Sequence, residues 1–332
     1  MYELIQVSER SYYIQSPAKI GLVRLDGQDV CLIDSGNDKD AGRKVRQLLD
    51  ANGWRLTAIY NTHSNADHIG GNRYLQGQTG CKIYAPGIDC AFTRYPILEP
   101  SFLYGGYPCK ELRHKFLMAQ ESDAQELTKE SLPEGFWIIP LPGHFFDMVG
   151  FRTLDDVVYL ADCLSSRETL DKYQIGFIYD VAAYLNTLEI VKSLQAKMFV
   201  PAHAAASEDI ADLAQYNIDK VLEIGDKITG ICKEPLCFEA ILQKLFTDYG
   251  LTMNFEQYVL VGSTVRSYLA WLKDTGRVNG LFENNMLLWQ RTSLFSKNKQ
   301  SSTDSFALRF GCNIYAPDFK GTGLICISSC PH

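Results

Sequence analysis

Long hydrophobic runs are missing from this chain. No window approaches the ~18 uninterrupted apolar residues of a membrane span. The start, Met1 to Arg10, lacks the basic stretch and apolar core of a secretory signal. Positive charge is in deficit: 32 Lys and Arg against 39 Asp and Glu leave a net charge of −7. That balance works against broad, phosphate-driven binding of nucleic acid. Cys-x-x-Cys pairs are missing although there are ten cysteines. Most of these sit in apolar runs such as Val30-Cys31-Leu32-Ile33 and read as reduced thiols of a cytoplasmic protein. There is no glycine-rich nucleotide fingerprint and no P-loop. Ser35 and Cys163 adjoin acidic residues but belong to no nucleophile motif, and Cys163 reads as a core thiol. Histidine is scarce, with six in 332 residues.

What is present is ordinary globular material, 46% hydrophobic and 21% charged. The length allows two or three domains. Strand patterns occupy Leu4–Val7, Tyr12–Ile14, Ile20–Leu25 and Val30–Ile33, with a hairpin turn at Asp26-Gly27. A helix is expected over Lys39–Asn52, with Val45, Leu48 and Leu49 at helical spacing and Gly53 as its stop. Ala58–Asn61 reads as a buried strand. Residues 86–135 read as an insertion rich in aromatics (Phe92, Tyr95, Phe102, Tyr104, Tyr107, Phe116), expected to form helical pieces as a lid or a surface elaboration. Strands resume at Trp137–Leu141, Phe151–Leu154 and Val157–Ala161. A helix over Tyr184–Gln195 and a short strand at Phe199–Val200 follow. The order fits two αβ halves.

Residues 1–220 are therefore taken as one domain and 221–291 as a second. The second carries two amphipathic helices, marked by Phe238–Phe246 and Phe255–Leu272. A hairpin follows, from Val278–Leu281 to Met286–Trp289. This winged-helix-like order suits a packing or homodimer unit better than a DNA reader in so acidic a chain. Residues 292–332 form a tail of uncertain origin, with a polar linker at Ser296–Ser305 and Cys312, Cys326 and Cys330 beyond it.

Four histidines fall in short punctuated segments after candidate strands. They are His63 and His68 in Thr62-His63-Ser64-Asn65-Ala66-Asp67-His68-Ile69-Gly70-Gly71-Asn72, His144 in Leu141-Pro142-Gly143-His144, and His203 in Val200-Pro201-Ala202-His203. Asp162 likewise follows a strand, in Tyr159-Leu160-Ala161-Asp162. Imidazole and carboxylate are zinc ligands, and loops at strand ends can bring them to one point. This pattern resembles the metallo-β-lactamase-fold hydrolases, whose signature is His-x-His-x-Asp-His followed by separate His, Asp and His. The resemblance covers roughly residues 10–215. It implies an α+β fold, an αββα sandwich, here with a small helical C-terminal domain. It also implies His63 and His144 at a first metal, Asp67, His68 and His203 at a second, and Asp162 bridging the two. Asp34, in Ile33-Asp34-Ser35-Gly36, matches a family position that orients ligands; on its own residues it reads equally as a turn former.

Two departures stand out. Asn65 replaces the family's second histidine, and an amide oxygen is a poorer zinc ligand than imidazole. One zinc is then expected to bind firmly and a second weakly or not at all, with iron or manganese as alternative ions. Asn65 is a weak ligand or a substrate contact. After His144 the chain reads Phe145-Phe146-Asp147-Met148, unlike glyoxalase-type hydroxyacylglutathione hydrolases. The resemblance implies a zinc hydrolase of small esters, thioesters or lactam-like molecules, with Asp67 catalytic and its activity reduced by Asn65. A nuclease or phosphodiesterase of the same fold and a non-catalytic binding protein on a decayed site are the alternatives.

Overall fold

The computed structural model describes residues 2–293. The expected linker at Ser296–Ser305 and the three cysteines beyond it lie outside the described residues.

The chain opens with β1 (Glu3–Gln6), β2 (Ser11–Gln15), β3 (Ile20–Arg24) and β4 (Asp29–Ile33), joined as antiparallel neighbours. Helix α1 (Lys39–Asn52) follows as expected. The Asp38 side chain caps it by accepting from the Ala41 N–H at 2.9 Å, and Gly53 ends it at φ 66°. Next come β5 (Arg55–Tyr60), α2 (Ala66–Ile69), α3 (Asn72–Thr79) and β6 (Lys82–Ala85). The segment from 86 to 135 contains α4 (Asp89–Arg94), α5 (Leu98–Tyr104), two single turns of 3₁₀ helix and β7 (Ala124–Glu126). Within it, β7 pairs in parallel with β6 and forms the last strand of a seven-stranded sheet in the order β1 to β7.

The second sheet holds β8 (Trp137–Pro140), β9 (Val149–Arg152), β10 (Val157–Ser165) and β11 (Met198–His203), in the order β11-β10-β9-β8. Between β10 and β11 lie α6 (Arg167–Tyr173) and α7 (Val181–Ser193). Helix α7 starts three residues before the apolar pattern suggests, because Asp180 caps it by accepting from the Ala183 N–H at 3.0 Å. After β11 come α8 (Ala211–Ile231), α9 (Phe238–Tyr249), α10 (Phe255–Asp274), and the hairpin of β12 (Val278–Glu283) and β13 (Met286–Arg291). Asn284 and Asn285 turn that hairpin at φ 49° and 62°, a left-handed pair suited to its twist.

The two-residue period of the strands explains the layering. Val23, Cys31, Ile33, Ala58 and Tyr60 face Phe151, Val157, Tyr159 and Val200, forming the core between the sheets. Their alternates Leu22, Leu32 and Ile59 face α1 and α3 through Val45, Leu49 and Leu75. On the far side, Leu160, Leu164 and Phe199 pack under α7, α8 and α10. The result is the expected αββα sandwich.

The expected boundary at 220/221 falls inside α8. Ile218, Val221, Ile224 and Ile228 share one buried face of that helix, and one apolar cluster runs from Leu141 to Val278. Residues 2–293 accordingly form one compact unit. Among the described residues, no helix is long and apolar enough to cross a membrane.

A chain ended after Lys220 would expose Leu188, Val191 and Ile218, which are otherwise covered. It would also lose partners such as Val265, Leu269 and Leu272, each worth ~1.5–3 kcal/mol of burial. Fragment 1–220 is expected to show no cooperative transition in urea monitored by near-ultraviolet circular dichroism. A sharp transition would establish 220/221 as a domain boundary.

Candidate metal centre

The motif residues come from the segments that follow β4, β5 and β8, from within β10 and from the end of β11, with Asp67 and His68 on α2. Asp34 follows β4 in a left-handed conformation, φ 64°. Its carboxylate is fully engaged and buried. Oδ1 accepts from the Thr62 N–H at 2.8 Å; Oδ2 accepts from the Thr62 hydroxyl at 2.7 Å and faces His68 Nδ1 at 2.8 Å. Thr62 Oγ1 in turn lies 3.0 Å from His63 Nδ1. Both rings are thus gripped at Nδ1 and present Nε2 forward. Gly143 precedes His144 at φ 120°, where a Cβ would lie 2.2 Å from the backbone nitrogen of Tyr184, so only glycine fits that turn. Asp162 follows an irregularity in β10, where the register against β11 slips on either side of Ala161 and Ala161 adopts φ 49°. This kink re-aims the strand end. His203 ends β11, with Nδ1 held 3.2 Å from the carbonyl of Pro17.

The forward-facing atoms converge. His68 Nε2 is 2.9 Å from Asp162 Oδ1 and 3.7 Å from Asp67 Oδ2. His203 Nε2 is 3.1 Å from Asp162 Oδ2 and 3.3 Å from Asp67 Oδ2, and His144 Nε2 is 3.6 Å from Asp162 Oδ2. Donors bound to one tetrahedral ion at ~2.0–2.2 Å stand about 3.4 Å apart, so these spacings fit a shared cation. Buried His63 Nε2, His68 Nε2 and Asp162 Oδ1 make no well-formed hydrogen bond, close as the last two are. That arrangement is costly in a protein interior unless a further partner takes them. Two donor groups result, each with atoms within 4.8 Å of one another: Asp67, His68, Asp162 and His203; and His63, His144 and Asp162. Every candidate ligand is brought to this one place, and this His and Asp cluster is suited to a metal ion.

Electrostatics follow from crowding. Burial pulls His68 down, but Asp162, Asp67 and Asp34 together outweigh it and hold the ring well above its ordinary pKa. Burial and the neighbouring His68 push His63 well below, and burial lowers His144 as well. Burial disfavours a charged His203 too, yet Asp162 and Asp67 push it up to about 10. Against their own burial, Asp67 and Asp162 are held below the usual carboxylate range, Asp67 chiefly by His68 and Asp162 chiefly by His203 and His68. Such displaced values in one cleft are typical of working sites.

Several residues at the site carry no motif. Glu99 of α5 is 5% exposed and accepts from Asn65 Nδ2 at 2.7 Å, while Asn65 Oδ1 lies 3.2 Å from His144 Nε2. Asp89 of α4 accepts from the backbone and hydroxyl of Ser64 at 2.9 and 2.8 Å and from the Asp147 N–H at 2.9 Å; burial lifts its pKa to about 6. Phe145 and Phe146 join Phe92, Phe102, Phe177 and Tyr179 in an aromatic wall, with Phe177 edge-on to His144 at 5.5 Å. Of the aromatics of residues 86–135, Phe92 and Phe102 belong to this wall, while Tyr95, Tyr104, Tyr107 and Phe116 are exposed. The two buried acids leave none.

Comparison with known proteins agrees with the architecture. Two solved structures superimpose over most of the chain. A beta-lactamase domain protein from Burkholderia ambifaria covers 87% of this chain and 94% of its own at a TM-score of 0.66 and 14% identity. A metallo-beta-lactamase family protein from Thermus thermophilus covers 87% and 98% at 0.65 and 15%. At such identities the likeness is one of fold. Among curated proteins, a hydroxyacylglutathione hydrolase from Methylococcus capsulatus is 46% identical over 55 residues, 14% of this chain and 22% of that protein. One from Rhodospirillum rubrum is 35% identical over 78 residues, 21% and 29%. The chain thus spans less than a third of the length of these relatives. The model of the Metallo-beta-lactamase superfamily matches residues 15–203, which begin on the last residue of β2 and end on His203. With the strand-end histidines and acids gathered as described, the chain belongs to the metallo-beta-lactamase superfamily.

Proposed function

We propose that this protein is a metal-dependent hydrolase directing an activated water at the acyl carbon of a small ester, thioester or lactam-like substrate. The observation that carries this reading is the pair of donor sets sharing Asp162, with three inward atoms that lack hydrogen bonds. Asp67, His68, His203 and Asp162 are assigned to a firmly held zinc, and His63, His144, Asp162 and the Asn65 amide to a weaker second ion. Mixed imidazole and carboxylate sets suit zinc, with iron and manganese as competitors. When bound, the metal supplies Lewis acidity, acidifying water toward neutral pH and polarising the acyl oxygen.

The protein's own groups do the rest. Asp67, its side chain 41% exposed at the mouth, orients the attacking water by hydrogen bonding. The aromatic wall keeps water away from the acyl group and strengthens each electrostatic contact there. Beside His144 and Asp162, a cavity of about 50 Å³ lined by Phe177, Ile178 and Tyr184 suits a short acyl limb. A bulky leaving group lies outside it. Thioesters are the favoured class, supported by the segments similar to proteins named hydroxyacylglutathione hydrolase. A nucleic-acid substrate is disfavoured by the net charge of −7. The described cysteines are free, Cys31 and Cys163 among them, which fits a reducing compartment.

Stripping the metal with a chelator should lower Tm and added zinc should restore it; an ion at a hundredfold excess over its Kd contributes ~2.7 kcal/mol. Asp67→Ala and His203→Ala should each lose the firmly held ion in elemental analysis. Asp67→Ala should also lose roughly 10²-fold or more of thioester hydrolysis, the scale of a lost proton-handling group. Full metal content in both variants would sink the assignment.

Asn65→His should raise occupancy of the second ion, since imidazole is the better zinc donor. Calorimetric titration of the stripped variant with zinc is the check. Stoichiometry and affinities equal to the parent's would instead make Asn65 a substrate or water contact.

A further inference from the structure

An asparagine can face a cation in two ways. Its Oδ1 attracts the ion, and its Nδ2 repels it. The choice depends on what lies behind the amide. Here the group behind is Glu99, 5% exposed, whose Oε1 is 2.7 Å from Asn65 Nδ2. Oε1 is placed as the acceptor of that N–H. It keeps this role with the carboxyl ionised or, since burial raises Glu99 well above its ordinary range, with a proton on Oε2; the reversed amide would set oxygen against Oε1. The observed orientation leaves Oδ1 forward, 3.2 Å from His144 Nε2. That spacing is close to the ~3.4 Å edge of a tetrahedron of donors around one ion. Glu99 comes from α5 in the aromatic segment, far in sequence from Asn65.

From this geometry we infer that Glu99 is a positioning residue for the second ion: it locks the Asn65 amide with its oxygen toward His63, His144 and Asp162, so that Asn65 and Glu99 together replace the family's second histidine. The lock requires an acceptor atom at position 99. The substitution Glu99→Gln keeps one in its amide oxygen but adds an NH₂ that can also hold the reversed amide, so it locks less firmly; an apolar side chain has none. The inference rests on the reading of the cluster as a metal centre.

The test is titration of the chelator-stripped full chain with cobalt(II), followed by its visible absorption. The parent should take up one ion tightly and one weakly. Glu99→Met, similar in length but without an acceptor, should weaken the second ion by roughly 10–100-fold, the usual effect of losing a ligand's supporting partner, and leave the first unchanged. Glu99→Gln should weaken the second ion less than Glu99→Met does. In an Asn65→Ala background, Glu99→Met should have no further effect on the second ion. In the unmutated protein, the Asn65 side-chain NH₂ signal, identified by its loss in Asn65→Ala, should be protected from hydrogen exchange. That measurement stands even should Glu99→Met not fold. Parental affinity for the second ion in Glu99→Met, equal loss in Glu99→Gln, loss of both ions together, or a freely exchanging amide would each overturn the inference. A parent that takes up no cobalt would instead overturn the metal-centre reading itself.

Discussion

The carboxylate of Asp34 is the constraint on which the site depends. It is 3% exposed and ties three separate pieces of chain together: the end of β4, the turn after β5, and the ring of His68 in α2. Its left-handed backbone, unfavourable for a residue with a side chain, is held because two backbone hydrogen bonds and the parallel pairing of β4 with β5 over-determine it. Through Thr62 the same carboxylate reaches His63. Two of the four histidines are therefore aimed from one anchor that never faces the ion.

Much of this was legible beforehand because the physics involved is local. Alternating apolar residues identified most strands of the sandwich, and Gly53 stopped α1 where a left-handed residue was needed. The histidines and acids could be gathered because each falls in a short segment at or soon after a strand, where loops can converge. The domain boundary was not legible in the same way. The change in composition near 221 is real, but the buried stripe of Ile218, Val221 and Ile224 crosses it without a break. A stripe of that kind reveals burial, not which element covers it. Likewise β7 is only three residues long, too short to carry an alternating pattern, so the sheet's last strand was hidden in what read as an insertion.

Glu99 and Asp89 show a second limit. A buried acid looks in sequence like an exposed one, because only its partners distinguish them. Those partners, the Asn65 amide in one case and Ser64 and Asp147 in the other, come from distant loops. The exchange of histidine for Asn65, visible in the sequence as a loss, becomes in three dimensions part of a pair with the buried Glu99. Local reasoning found the changed residue but not the residue that accompanies it.

The uneven burial around the centre also bears on the rate at which an ion could come and go. His63 and His68 are fully enclosed, whereas the side chains of Asp67 and His203 are 41% and 27% exposed. Passage between solvent and the interior must run past those two outer donors, while the Asp34-held rings behind them stay fixed. An arriving cation would meet the exposed carboxylate of Asp67 before the enclosed imidazoles. Leaving would reverse that order, so the outer pair and not the inner rings would bear first on how long an ion stays.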